Sequence, residues 1–208
     1  MRLNVKRHTV TWLLGVVMTL SLLSGCQRSH LSEVSPDGVI VAFGDSLTVG
    51  VGANRSDSYP SVLQQLTGRQ VINAGISGET TAEGAKRLPE VLADTEPELL
   101  ILLEGGNDIL RNHNLTQTRN HLATMIEYAQ NQGVQVVLIA VPEKNLFSEQ
   151  APLYRELAEE YQVVLIDDMI SDLLRTPSYK SDTIHLNARG YRVMAEEIYS
   201  VLEREGAF

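Results

Sequence analysis

Val39-Ile40-Val41-Ala42-Phe43, followed at once by Gly44-Asp45-Ser46-Leu47, is the stretch on which the architecture turns. Five apolar residues without polar alternation do not suit a strand with one wet face. They read as a parallel strand buried on both faces. The glycine that ends the run and the Asp-Ser pair after it read as a tight turn into a helix. Similar runs recur at Val71-Ile72, Leu99 to Leu103 (LLILL), Val136 to Val141 (VVLIAV) and Val163 to Ile166 (VVLI). The segments between them carry helical spacing. Leu122, Met125, Ile126 and Ala129 follow i, i+3, i+4, i+7. So do Tyr154, Leu157, Ala158 and Tyr161, and Tyr191, Met194, Ala195 and Ile198, continued by Leu202. These stripes read as core, and Gly133 is placed to stop the helix before the fourth strand. Five strands alternating with helices predict an α/β fold, a five-stranded parallel sheet covered on both faces with right-handed crossovers. In such sheets the working site lies beyond the carboxyl ends of the strands, so chemistry is sought in segments that directly follow a strand.

The 208 residues carry 17 Lys+Arg against 26 Asp+Glu, a formal net charge of −9, with 43% hydrophobic and 21% charged residues. That composition excludes a disordered or collagen-like chain, and the length suits one domain. The acidic balance argues against nucleic acid as a partner, because phosphate backbones call for a positive surface. The single cysteine, Cys26, rules out an intramolecular disulfide and a cysteine-built zinc site. Neither a metal nor an organic cofactor is expected, and a monomer is.

At the amino terminus, Arg2, Lys6 and Arg7 precede a largely apolar run from Val10 to Leu23. The run is too short, and too soon followed by polar residues, for a membrane span. It closes on Leu23-Ser24-Gly25-Cys26, with the small residues a signal peptidase requires. This run resembles a bacterial lipobox, in which the cysteine becomes the lipidated first residue. The other reading is a plain secretory signal with an incidental cysteine. Residues 1–25 are expected to leave as a signal peptide. Residues 26–37, polar and carrying Pro36, are expected to form a tether, and residues 38–208 the functional domain. Loss of Arg2, Lys6 and Arg7 takes the net charge from −9 to −12. A lipidated cysteine on a leash holds a domain at a membrane of the bacterial envelope without spanning it.

Four segments satisfy the position test. Gly44-Asp45-Ser46-Leu47 follows strand one, and a serine on such a turn can be held for attack; a helix N-cap is the structural alternative. The pattern around Ser46 differs from the G-x-S-x-G elbow, so the common lipase fold is not indicated. Asn73-Ala74-Gly75-Ile76-Ser77-Gly78-Glu79-Thr80 follows strand two; its glycines can bring backbone N–H groups to a substrate or merely form a turn. Gly105-Gly106-Asn107-Asp108 follows LLILL, and the Asn107 amide can donate to an oxyanion or make an Asx-turn. Asp182-Thr183-Ile184-His185 precedes the final helix, with Asp182 spaced to hold one imidazole nitrogen and leave the other as a base. The remaining histidines have weaker claims: His8 lies in the signal, His30 in the tether, and His113 and His121 in polar stretches.

In order and spacing, these four blocks are similar to those of the GDSL, or SGNH, hydrolases, from Val39 to about Leu202. Within that family the sequence most resembles the bacterial arylesterase, acyl-CoA thioesterase and lysophospholipase group. The resemblance implies a flavodoxin-like three-layer α/β/α sandwich and a serine esterase acting through an acyl-enzyme on aryl or acyl esters, lysophospholipids or thioesters. It implies Ser46 as nucleophile, His185 as base and Asp182 as its orienting acid. The oxyanion hole would comprise the N–H groups of Ser46 and Gly78 and the side chain of Asn107. Glu104 and Leu186 depart from the family pattern; an apolar residue and a proline are more usual there, and Glu104 is expected at the pocket rim. Ile109, Leu110, Leu146 and Phe147 follow strands three and four and can line an acyl groove or anchor loops. A carbohydrate O-deacetylase is the alternative within hydrolases. A catalytically silent envelope lipoprotein that binds lipid or acts as a scaffold is the alternative outside them.

Overall fold

The computed structural model describes residues 31–143 and 151–208. Five strands form one sheet: β1 (Val39–Gly44), β2 (Gln70–Gly75), β3 (Leu99–Leu103), β4 (Gln135–Ile139) and β5 (Val164–Ile166). All neighbouring pairs are parallel, in the order β2-β1-β3-β4-β5. The LLILL segment is central, and every residue of β3 is inaccessible to solvent. β2 is an edge strand with partly exposed positions, which is why only Val71-Ile72 stood out as its apolar signal.

The helices are α1 (Ser46–Val49), α2 (Tyr59–Thr67), α3 (Thr81–Thr95), α4 (Gly106–Leu110), α5 (Leu115–Asn131), α6 (Leu153–Tyr161), α7 (Met169–Arg175) and α8 (Ala188–Arg204). α2 packs on α8, while α3 packs on α5 and α5 on α6, so helices form a layer on either side of the sheet. The expected stripes are core: Leu122, Met125, Ile126 and Ala129 of α5 and Tyr191, Met194, Ala195, Ile198 and Leu202 of α8 are all buried. Gly133 adopts φ 78° just past α5 and donates to the Gln130 carbonyl at 2.9 Å, a left-handed stop that a side chain would oppose.

Cys26 and the signal region lie outside the described residues, as do Leu146 and Phe147. Residues 31–37, expected as the end of a loose tether, are instead packed on the domain. Val34 is fully buried, and Leu31 and Val34 donate backbone hydrogen bonds to the carbonyls of Glu205 and Ala207, each at 2.9 Å. Polar composition alone does not reveal one apolar side chain inserted into a core. Among the described residues, no helix is long and apolar enough to cross a membrane.

β1 and β3 lie side by side where the sheet order reverses, and Gly44 stands at their carboxyl ends. A β-carbon there would lie 2.2 Å from the Leu103 carbonyl oxygen and 2.5 Å from the Thr48 hydroxyl. Gly44→Ala is therefore expected to force these strands apart and lower stability by about 1–3 kcal/mol, measured by thermal or urea unfolding. An unchanged midpoint would show that the strands yield freely.

Candidate active site

Ser46 begins α1, a single turn whose N-cap is Asp45; the Asp45 Oδ1 accepts the Leu47 N–H at 3.0 Å. The turn ends at Gly50, in the left-handed region at φ 89°. His185 is held in the loop before α8, and Asn187 caps that helix by accepting the Gly190 N–H at 3.0 Å. Leu186 is buried and bridges to Lys180.

The two segments meet. The Ser46 Oγ lies 3.1 Å from the His185 Nε2, and the His185 Nδ1 lies 2.8 Å from the Asp182 Oδ2. The other carboxylate oxygen of Asp182 accepts the N–H groups of Ile184 at 2.9 Å and His185 at 2.8 Å. The bond from His185, followed by that from the Ile184 N–H, holds the Asp182 carboxyl down to about 2 although half of the side chain is exposed. An ionised Asp182 fixes Nδ1–H and leaves Nε2 facing Ser46 as an acceptor.

Asn107, in the first turn of α4, points toward the same place. Its Nδ2 donates to the Glu79 carbonyl at 2.9 Å and to the Asp45 Oδ2 at 3.2 Å. Both amide hydrogens thus have acceptors, the second at the long end of the hydrogen-bond range. Gly78 sits at φ 82°, a conformation disfavoured for other residues, and its carbonyl accepts the Arg111 Nη2 at 2.9 Å. Among the described residues, neither the Ser46 N–H nor the Gly78 N–H has an acceptor. Asp108, the last residue of the GGND block, is buried and ties the block-two turn down. It accepts the Thr81 N–H at 2.9 Å and the Thr81 hydroxyl at 2.8 Å at the start of α3.

Behind the site lies a buried acidic group that sequence reading did not assemble. Asp45, Glu79 and Glu104 are all buried. Glu79 pairs with Arg87, whose guanidinium also donates to the Ala74 carbonyl at 3.0 Å and lies 4.0 Å over the Phe43 ring. Burial pushes the Asp45 carboxyl up to about 6, partly offset by the Leu47 N–H. Burial, then the neighbouring Asp45 and Glu79 charges, pushes Glu104 far above the ordinary carboxyl range. No hydrogen-bond donor of the described residues reaches the Glu104 Oε1, as befits a carboxyl held neutral by burial. Glu104, expected at the pocket rim, is instead fully buried beneath the site. Linear sequence displays these carboxyls but not their burial.

A pocket of about 180 Å³ opens beside Ser46. Ile109 and Leu110 line it, together with Val141, Ile170, Leu174 and Ile184. Ile170 and Leu174 come from α7, a segment that the sequence did not mark. His113 and His121 are not part of this pocket; His113 approaches Asp108 at 3.6 Å and His121 lies 3.2 Å from the Thr81 hydroxyl. Among the described residues, no cluster of His, Cys, Asp or Glu could hold a metal ion.

A serine on the turn after β1, linked through a histidine to an aspartate, defines a serine hydrolase built on a flavodoxin-like sheet. Residues 42–193 match the GDSL-like Lipase/Acylhydrolase family, and the chain belongs to it: an SGNH hydrolase acting on ester bonds. It is 34% identical over 130 residues to the esterase TesA of Pseudomonas aeruginosa, an alignment covering 60% of this chain and 65% of that protein. It is 31% identical over 180 residues to an arylesterase of Vibrio mimicus, covering 80% and 88%. Among solved structures, the SGNH-hydrolase family esterase AlinE4 superposes with a TM-score of 0.62 at 32% identity, covering 83% of this chain and 96% of that one.

The buried acid carries a pH signature. The folded state holds the Glu104 proton more tightly than the unfolded state does, so Glu104 lowers stability as pH rises above the ordinary carboxyl range. Glu104→Gln keeps the shape without the ionisable proton. Its melting temperature relative to the parent is expected to rise steadily from pH 4 to pH 8. A constant offset across that range would mean that Glu104 is not held neutral.

Proposed function

We propose that this esterase works through an acyl-enzyme on Ser46, with His185 as base and Asp182 as its orienting acid. The hydrogen-bonded chain from the Ser46 Oγ through both imidazole nitrogens to Asp182 carries this reading. A neutral serine is a poor nucleophile, so His185 takes its proton as Oγ attacks the ester carbonyl, and Asp182 stabilises the imidazolium. The carbonyl oxygen becomes an oxyanion, met by the unengaged N–H groups of Ser46 and Gly78. Asn107 adds the amide hydrogen that it otherwise lends to Asp45 at 3.2 Å, while its shorter bond to the Glu79 carbonyl keeps it aimed. His185 returns the proton to the leaving alcohol or thiol. Water then attacks the acyl-enzyme by the same steps and frees Ser46.

The apolar pocket beside Ser46 supports an acyl chain as the group it holds, rather than the polar ring of a sugar. Aryl and acyl esters, with lysophospholipids and thioesters as further candidates, suit that lining. At the amino terminus, the lipobox-like Leu23-Ser24-Gly25-Cys26 supports lipidation of Cys26 and a place at a membrane of the bacterial envelope.

A p-nitrophenyl ester series of rising acyl length tests the assignment. Ser46→Ala is expected to lower kcat on the order of 10⁴-fold or more while keeping its melting temperature; substantial residual activity removes Ser46 as nucleophile. Leu174→Trp is expected to cut kcat/KM for longer acyl chains at least tenfold and to spare acetate. If all chain lengths respond alike, this pocket does not hold the acyl group.

Asn107→Ala separates the oxyanion donor from a mere brace. Losing such a donor costs on the order of 10²–10³ in kcat. Because the amide also bonds Glu79 and Asp45, a stability loss of about 1 kcal/mol should accompany it. A fall in stability with kcat intact would make Asn107 structural only.

A further inference from the structure

The chain enters the folded domain at the pole opposite the active site. α8 measures the separation: it begins three residues after His185 and runs 17 residues to Arg204, about 25 Å of helix. Just beyond its far end, the Glu205 and Ala207 carbonyls accept the Leu31 and Val34 N–H groups. The rest of the entering segment is fastened at the same pole. Ser32 exchanges hydrogen bonds with Gln135, the first residue of β4, and Ser35 donates to Glu98, just before β3. Arg69, just before β2, donates to the Val34 carbonyl at 3.3 Å. Gln135, Glu98 and Arg69 lie at the amino ends of strands, whereas Ser46 and Asn107 follow carboxyl ends. With Val34 fully buried, Leu31 is a fixed point on the domain.

Four residues, Gln27 to His30, separate Cys26 from Leu31, and the five Cα steps between them span at most about 18 Å when fully extended. A lipid on Cys26 thus keeps Leu31 within about that distance of the bilayer surface. Pointing the mouth of the site into the same bilayer would lift Leu31 by at least the length of α8, roughly 25 Å, which the tether cannot cover.

We infer that the anchored domain holds its active site away from the bilayer that carries it and takes esters delivered through water, dissolved or on a facing surface, rather than lipids of the carrying membrane. This rests on the reading of Cys26 as the anchor.

The full-length lipidated protein in phosphatidylcholine vesicles tests it against two variants. One is Cys26→Ser, added from solution. The other carries a flexible insertion of about 30 Gly/Ser residues between Arg28 and Ser29, long enough to let the domain invert. Three substrates are offered: p-nitrophenyl butyrate in water, a long-chain fluorogenic ester in the carrying vesicles, and the same ester in separate acceptor vesicles. The butyrate rate is expected to be equal for all three proteins. On the ester in carrying vesicles, the anchored parent should be no faster than Cys26→Ser, and the long-tether variant at least tenfold faster. Hydrolysis in the acceptor vesicles would assign the facing surface as a source; its absence would leave dissolved esters. An anchored parent that outpaces Cys26→Ser tenfold on the carrying bilayer, or a long tether that brings no gain, overturns the inference. Vesicle flotation and the mass of the amino-terminal peptide report lipidation separately. Should the peptide be unlipidated, the anchor reading fails on its own, and coupling the sole cysteine of the processed chain to a maleimide lipid puts the same geometry to the same comparison.

Discussion

The reversal of strand order between β1 and β3 is the constraint on which the site depends. The connection from β1 leads outward to β2, and the one from β3 leads the opposite way to β4. Parallel pairing still holds the two strands in register, with Gly44 opposite Leu103. Two chains diverging from adjacent strand ends leave a crevice, and each delivers its first post-strand residues to it. Ser46 arrives from one side and Asn107 from the other. The close packing at Gly44 sets how near these arrivals come.

Divergent segments need a tie, and buried carboxyls supply it. Asp45 bonds the Leu47 N–H on its own turn and the Asn107 amide on the opposite one. Asp108 bonds back from the Asn107 segment to the start of α3. Glu79, between them in sequence, lends its carbonyl to Asn107 and its carboxylate to Arg87. Buried together as anions, Asp45, Glu79 and Glu104 would repel one another at a cost that one arginine hardly offsets. Holding Glu104 neutral removes one of those charges and turns it into a donor where its neighbours are acceptors. The acidic residues of the GDSL and GGND blocks are therefore braces between loops, while the Asp182 carboxylate, half in water, remains ionised at the histidine.

What the sequence made legible follows from how local each signal is. Unbroken apolar runs mark β1, β3 and β4 because strands buried on both faces have no polar side to interrupt them. β2 was faint because an edge strand tolerates Gln70 and Asn73. Asp182 and His185 were readable as a pair because their contact is made within three residues. The Asp45–Asn107 bond spans 62 positions and has no local trace. The burial of Glu104 beside Asp45 and Glu79 brings together three segments far apart in the chain, which composition cannot show. The acyl pocket was half legible for a similar reason. Ile109 and Leu110 follow a strand directly, but Ile170 and Leu174 reach the pocket only through the packing of α7.

The two poles of the domain are also built by different parts of the chain. The family match runs from residue 42 to 193 and so contains every element that delivers a residue to the catalytic pole. At the other pole, further contacts are made outside it. Leu31 and Val34 bond the carbonyls of Glu205 and Ala207, and Phe208 stacks on Tyr199 beneath the Arg69 guanidinium. The segments flanking the matched region thus close on each other at the floor of the sheet. There they can change without moving a catalytic atom. Sheet polarity makes this separation possible: parallel strands send all their carboxyl ends to one pole, so the amino-end pole is left for attachment.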